Sequence, residues 1–157
     1  MVGLLLVLAL AGCTTPAAVT APAATGPVTV AALPPGSPAV VAACARLIAA
    51  LPASLGPDIA RRPVTVDAGR TAAWGDPAVV LRCGVAQPDQ TVPPLTIDQV
   101  AWVVTSTGPS QLWTTRSSGV PVSVDINKAY AGQGELIVRL AAPLLASLPL
   151  KPVPPAG

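Results

Sequence analysis

Apolar residues recur with helical spacing at the start of the chain's central region. Ser37 and Pro38 suit the cap and first turn of a helix, and the apolar residues after them recur at three- and four-residue intervals. These residues are Val41, Cys44, Ile48 and Leu51. The pattern predicts an amphipathic helix that ends at Pro52, because a residue that precedes proline disfavours the helical conformation.

The middle of the chain has the short apolar runs and turn residues of strands. Thr107, Gly108 and Pro109 mark a turn between two such runs, which predicts a hairpin. In the last run, apolar side chains alternate with Ser123 and Asp125, which predicts a strand with one buried face. Strands are expected at residues 63–67, 78–83, 100–106, 111–116 and 120–126.

A second helical pattern closes the region. Pro143 lies inside it and should kink the helix, since proline removes an amide donor. The apolar stripe consists of Leu136, Ile137, Leu140, Leu144, Leu145 and Leu148. Helix, strands and helix in this order predict an α+β fold. We expect a two-layer sandwich, with both helices on one face of a mostly antiparallel sheet of about five strands.

The N-terminal segment has the features of an export signal. An apolar run from Val2 to Ala11 is too short to span a bilayer, which needs roughly 20 helical residues. It ends in Leu10-Ala11-Gly12-Cys13, the form of a lipobox, although no Lys or Arg precedes it. We interpret residues 1–12 as a cleaved signal peptide and Cys13 as a lipidated residue carrying acyl chains such as palmitate. The protein is then an exported lipoprotein on the outer face of the cell membrane, since two or more chains anchor stably. The alternative is a free thiol at Cys13.

Low-complexity segments flank the expected domain. Residues 13–36 are rich in Pro, Ala and Thr, and residues 149–157 are rich in Pro. Neither can bury a core, so we expect a tether of up to roughly 70 Å at about 3 Å per residue, then one domain at 37–148, then a tail. The threonines of the tether also resemble those of O-glycosylated stalks.

Composition excludes several functions. The net charge is +2 and charged residues make up 10% of the chain, so no field favours nucleic acid as a partner. The chain contains no histidine, which removes the commonest ligand of metal sites and the commonest acid/base catalyst. We therefore expect no metal and no cofactor.

Two cysteines remain once Cys13 is assigned to lipid. Cys44 lies in the first helix and Cys83 at the end of a strand, and an even pair in an oxidising compartment indicates a disulfide. The alternative is a catalytic thiol, which needs a base that histidine would normally supply.

One stretch of sequence resembles a known family. The similarity includes residues 74–84 (WGDPAVVLRCG), Cys44 with Leu47 and Leu51-Pro52, Trp102, Trp113-Thr114-Thr115-Arg116 and residues 120–130. It resembles an actinobacterial family of short secreted or membrane-anchored proteins known as domain of unknown function 3515, over about residues 40–145. The resemblance implies an actinobacterial origin, a place in the cell envelope and a paired-cysteine core. It implies no activity.

Two groups of residues are candidates for binding. Trp74, Asp76 and Arg82 surround the proposed disulfide strand, where the arginine could bind a carboxylate or phosphate, or instead form an ion pair with Asp76. Trp102 and Trp113 lie on the two strands of the hairpin. They could recognise a sugar or a partner if exposed, or pack in the core.

These observations favour a membrane-anchored, non-catalytic module for binding or envelope maintenance, whose partner is an envelope protein, a glycan or a lipid. One alternative is a lipid carrier with an apolar pocket between helices and sheet. A second is a hydrolase that uses two of the seven carboxylates, which belong to Asp58, Asp67, Asp76, Asp89, Asp98, Asp125 and Glu135.

Overall fold

The computed structural model describes residues 25–116 and 119–150. The predicted signal peptide, Cys13 and most of the tail expected at 149–157 lie outside these residues, so the expectations for them stay predictions. The elements in chain order are α1 (Pro38–Ala50), β1 (Arg61–Arg62), β2 (Thr71–Trp74), β3 (Val79–Cys83), β4 (Leu95–Ile97), β5 (Val100–Thr107), β6 (Ser110–Thr115), β7 (Val122–Asn127) and α2 (Gln133–Ser147). The predicted α+β class is confirmed. The expectation of about five strands was wrong, because the sheet has seven.

All strands pair antiparallel, in the order β1-β2-β3-β7-β6-β5-β4. Strands that follow one another in the chain are neighbours in the sheet, with one exception. Because β7 pairs with β3, the connection from β3 to β4 must cross three strands. We call this connection, residues 84–94, the crossing segment.

Short strands and polar composition explain the strands that the hydrophobic pattern missed. β1 and β4 contain two and three residues, and β2 has alanines at its centre, so none gives a period-two signal. The strand expected at 63–67 was wrong. Val64 forms only an isolated bridge with Val28, and Asp67 has a φ of 50° and accepts a hydrogen bond from the Leu33 amide instead.

Both predicted helices form. The Ser37 hydroxyl caps α1 by accepting a hydrogen bond from the Val40 amide at 3.3 Å, and the helix ends just before Leu51 and Pro52. α2 starts after Gly132, whose φ is 68°, and contains Pro143. None of the helices within residues 25–116 and 119–150 combines the length and apolar character needed to cross a bilayer.

The buried residues of both helices form one cluster with alternate residues of the strands. Ala72, Trp74, Leu81 and Cys83 belong to this cluster. Residues between them on the same strands point to the opposite face of the sheet, as the pleat requires. There Ala73 and Val80 pack with Val28 and Val30, which are 9% and 6% exposed. Val28 and Val30, which belong to the expected tether, therefore contribute to the folded domain.

A disulfide joins the end of β3 to α1. The Cys44 and Cys83 sulfurs are 2.02 Å apart, and both residues are fully buried. The predicted pairing is confirmed. Its position fixes α1 to the sheet at the point where the crossing segment begins.

Replacing Cys44 and Cys83 together with alanine should lower the free energy of unfolding by about 4 kcal/mol. The two cysteines are 39 residues apart, and a loop of about that length restricts the unfolded chain by this amount in the chain-entropy model. Urea unfolding followed by tryptophan fluorescence measures the change, and reduction of the unaltered protein should reproduce it. An unchanged unfolding midpoint in both experiments would contradict the prediction.

Candidate binding cleft

The crossing segment is fastened to the sheet at both of its ends. The amides of Gly84 and Val85 donate to the Pro121 carbonyl at 2.8 and 3.2 Å. Toward the other end, the Arg116 guanidinium donates to the carbonyls of Gln90 and Val92. The segment is thus held against the sheet rather than extended into solvent.

Only glycine fits where the crossing segment begins. Gly84 has a φ of 76°, and a Cβ there would lie 2.8 Å from the Val40 side chain and 3.1 Å from the Arg70 guanidinium. The same arginine donates to the Gly84 carbonyl at 3.2 Å and to the Pro34 carbonyl at 2.7 Å. Arg70 therefore holds the chain before α1 against the start of the crossing segment.

A cleft of about 400 Å³ lies between the crossing segment and the sheet. Residues 85–89 form its wall. Its floor consists of Arg82, Ser123, Thr114, Val103, Leu112 and Thr105. These floor residues alternate along their strands with members of the main core, so the cleft is on the sheet face opposite that core.

The pairing register of the strands places polar residues in a row that runs across the sheet along the cleft floor. Arg82 is opposite Ser123 on β7, which is opposite Thr114 on β6. On its other side Arg82 is opposite Thr71 of β2. The Ser123, Thr114 and Thr71 side chains are buried, with 4%, 7% and 1% exposure. A guanidinium is therefore flanked by hydroxyls across four strands.

Two side chains of this row, Arg82 and Thr71, have no hydrogen-bonding partner among the described residues. Within the described residues, the Arg82 guanidinium makes no hydrogen bond and no ion pair. The Thr71 Oγ1 atom is buried and has no hydrogen-bond partner. Buried polar groups are normally satisfied, and leaving one unpaired costs about 1–3 kcal/mol. A guanidinium with nearby hydroxyls supplies the donors that a carboxylate or a phosphate accepts.

Asp89 places a negative charge at the wall of the cleft. Its Oδ1 atom accepts hydrogen bonds from the Thr91 amide and hydroxyl, both at 2.8 Å. These bonds, the amide first, hold the pKa of Asp89 below its ordinary value, and the charge of Arg116 adds to the effect. Asp89 is therefore ionised at neutral pH, and it makes no ion pair with Arg82.

The first group of candidates from the sequence analysis was Trp74, Asp76 and Arg82. The structure places these three residues apart from one another. Trp74 is fully buried, donates from Nε1 to the Pro52 carbonyl at 3.0 Å, and contacts the Arg61 guanidinium 5.7 Å from the ring centre. Asp76 lies in the β2–β3 turn, at the far end of β3 from Arg82. The proposed ion pair between Arg82 and Asp76 does not form, because Arg62 is the residue that lies 4.0 Å from the Asp76 carboxylate.

Trp102 and Trp113, the second group, lie in the core. Their exposed fractions are 0% and 7%, and each is opposite a non-aromatic residue on the neighbouring strand. Trp113 Nε1 donates to the Gln133 side chain at 3.4 Å, at the start of α2. Core packing therefore accounts for both rings, which form no exposed aromatic surface.

The other carboxylates are distributed over turns. Asp58, Asp67 and Asp98 have left-handed φ angles of 59°, 50° and 46°, a conformation that Asp tolerates at turns. Among the described residues, no group of three or more His, Cys, Asp or Glu side chains could hold a metal ion. This distribution does not favour the paired-carboxylate hydrolase.

Fully buried side chains occupy the space between helices and sheet. Leu47 of α1, Leu81 of β3 and Ile137 of α2 all have 0% exposure and belong to one cluster. The lipid carrier with an apolar pocket at this interface is not favoured by such packing.

The fold and the cleft define a small α+β domain with a buried disulfide and an arginine on the floor of a sheet-face cleft. The chain belongs to the family described as "Protein of unknown function (DUF3515)", which matches residues 1–153, and the resemblance seen in the sequence is confirmed. No curated protein and no solved structure matches the chain.

Replacing Arg116 with methionine should loosen the crossing segment. The variant loses the bonds to Gln90 and Val92, so amide exchange in residues 89–92 should accelerate by on the order of tenfold. Hydrogen exchange with mass spectrometry measures this. Arg139→Met, at an exposed position on α2, is the matched control and should leave exchange in the segment unchanged. Equal exchange in the two variants would show that Arg116 does not hold the segment.

Proposed function

We propose that the chain is an exported lipoprotein whose domain binds a small anionic ligand in the cleft beneath the crossing segment. The observation that carries the proposal is Arg82, a guanidinium on the cleft floor with no partner among the described residues. A cation in a partly enclosed cleft attracts an anion more strongly than a fully solvated one, because fewer water molecules screen it. The Ser123 and Thr114 hydroxyls, which also line the cleft, can supply further hydrogen bonds.

The composition of the cleft favours binding over catalysis. Arginine keeps its charge at all physiological pH values and so positions an anion without exchanging protons with it. Asp89 is the carboxylate of the wall, and its lowered pKa makes it a weak base. Ser123 and Thr114 are alcohols that need a base before they can act as nucleophiles.

The proposal includes the two-layer arrangement and the anchor. Both helices cover one face of the sheet, and the N-terminal segment and the crossing segment cover parts of the other. Because Val28 and Val30 pack on the sheet, the spacer shortens to residues 13–27. At about 3 Å per residue, that spacer would hold the domain up to roughly 40 Å from the membrane.

Replacing Arg82 with glutamine should abolish anion binding in the cleft. Sodium acetate and sodium phosphate are suitable probes, and we expect them to shift the backbone NMR signals of residues 82, 114 and 123 relative to sodium chloride at equal ionic strength. In the variant these shifts should fall at least tenfold, since a charged hydrogen-bonding partner is lost.

The matched control is Arg139→Gln, which removes the same charge from an exposed position on α2 and should retain the shifts. If neither acetate nor phosphate shifts these signals more than chloride does, the cleft does not bind anions and the proposal fails.

Replacing Cys13 with alanine should release the protein from membranes and remove the mass of the acyl groups. Detergent partitioning and intact-protein mass spectrometry measure the two effects. The Cys44→Ala/Cys83→Ala variant serves as the control, because it lacks the disulfide and should still carry the lipid. Membrane retention of the Cys13→Ala protein without a change in lipid mass would refute the lipoprotein assignment.

A further inference from the structure

The charges around the cleft restrict the ligand's own charge. Among the described lining residues, Arg82 is the single cation and Asp89 the single anion. Asp125, opposite the lining residue Leu112, adds another carboxylate at the border of the cleft. A dianion would therefore leave one of its charges uncompensated and close to these carboxylates, whereas a monoanion places its single charge on Arg82, and Arg116 offsets Asp89.

The headgroup geometry favours a carboxylate. A guanidinium binds a planar carboxylate through two parallel hydrogen bonds, and one such pair neutralises both groups. A phosphate monoester carries nearly two charges at neutral pH, which this cleft does not balance. The flanking hydroxyl of Ser123, opposite Arg82 in the sheet, can donate to the same carboxylate.

Aliphatic side chains form the rest of the lining. Val85, Ala86 and Pro88 lie on the wall, and Val103 and Leu112 lie on the floor. None of the described lining residues is aromatic, so the cleft offers no ring on which a sugar or a base could stack. A saturated chain gains from burial against such a surface.

The size of the cleft restricts the length of that chain. About 400 Å³ is near the lower end of the range of roughly 300–1,000 Å³ that is usual for small-molecule sites. A cleft of this size has room for a carboxylate with several methylene groups and not for a membrane lipid with two acyl chains.

We propose that the ligand is a short aliphatic monocarboxylate, bound with its carboxylate on Arg82 and its chain between Leu112 and the wall of the crossing segment. This inference rests on the proposed function, because it requires that the cleft bind an anion. It adds the chemical class of the ligand and assigns Leu112 a role in specificity.

The test is a comparison of affinities across acetate, propionate, butyrate and caproate, measured by NMR titration of the intact protein. Each added methylene should raise the affinity two- to fourfold until the cleft is full, since burial of a methylene contributes about 0.8 kcal/mol. Succinate should bind more weakly than butyrate, because its second carboxylate approaches Asp89.

Variants test the assignment of the chain-binding surface. Leu112→Ser should remove most of the gain from acetate to butyrate, whereas Leu95→Ser, at an exposed position on the edge strand β4, should retain it. If Leu112→Ser does not fold, Thr105→Val provides the complementary test, since it exchanges a hydroxyl on the cleft floor for a methyl group and should increase the gain.

The outcomes separate this inference from the proposed function. Acetate binding at Arg82 without an increase along the series would overturn the inference and leave an anion site in place. Tighter binding of succinate or butyl phosphate than of butyrate would do the same, and would identify a dianion as the ligand. If neither acetate nor phosphate binds, both proposals fail.

Discussion

The pairing of β7 with β3 is the constraint on which the cleft depends. The last strand occupies the place beside β3 that β4 would take in a simple meander, so the chain must cross three strands before it can continue. That crossing forms the wall of the cleft, on the sheet face opposite the main core cluster. The disulfide at Cys83, the tight fit at Gly84 and the Arg116 hydrogen bonds all stabilise this one connection.

Local patterns predicted the helices, the hairpin and the α+β class, because each leaves a signal within a few residues of sequence. The cysteine pair was predicted from the number of cysteines that remain once Cys13 is assigned to lipid. The order of the strands leaves no such signal, since it depends on pairing between Val80 and Asp125, residues 45 positions apart. Arg82 was identified as a candidate, and its neighbours were not. The alternation around Ser123 showed that this side chain faces away from the core, but the register of two strand pairs was needed to place it beside Arg82 and Thr114.

Tryptophan was a misleading signal for the site. Three rings in a chain with no phenylalanine attract attention as possible binding groups, yet Trp74 and Trp102 are the largest fully buried side chains in the described domain. In a core otherwise built from Val, Leu, Ile and Ala, these rings fill space that phenylalanine would fill elsewhere. The lining of the cleft differs from the core because it combines aliphatic residues with small alcohols and a single cation.

The bridge between Val28 and Val64 gives the domain a mechanical property. Two hydrogen bonds, from the Val28 amide to the Pro63 carbonyl and from the Thr65 amide to the Val28 carbonyl, join the N-terminal segment to the chain before β2 in parallel orientation. Tension that enters the domain from its N-terminal side reaches these two bonds, and the packing of Val28 and Val30, before it reaches α1. A pull from the N-terminal side therefore loads the bridge and the valine packing first, and the disulfide between α1 and β3 only afterwards.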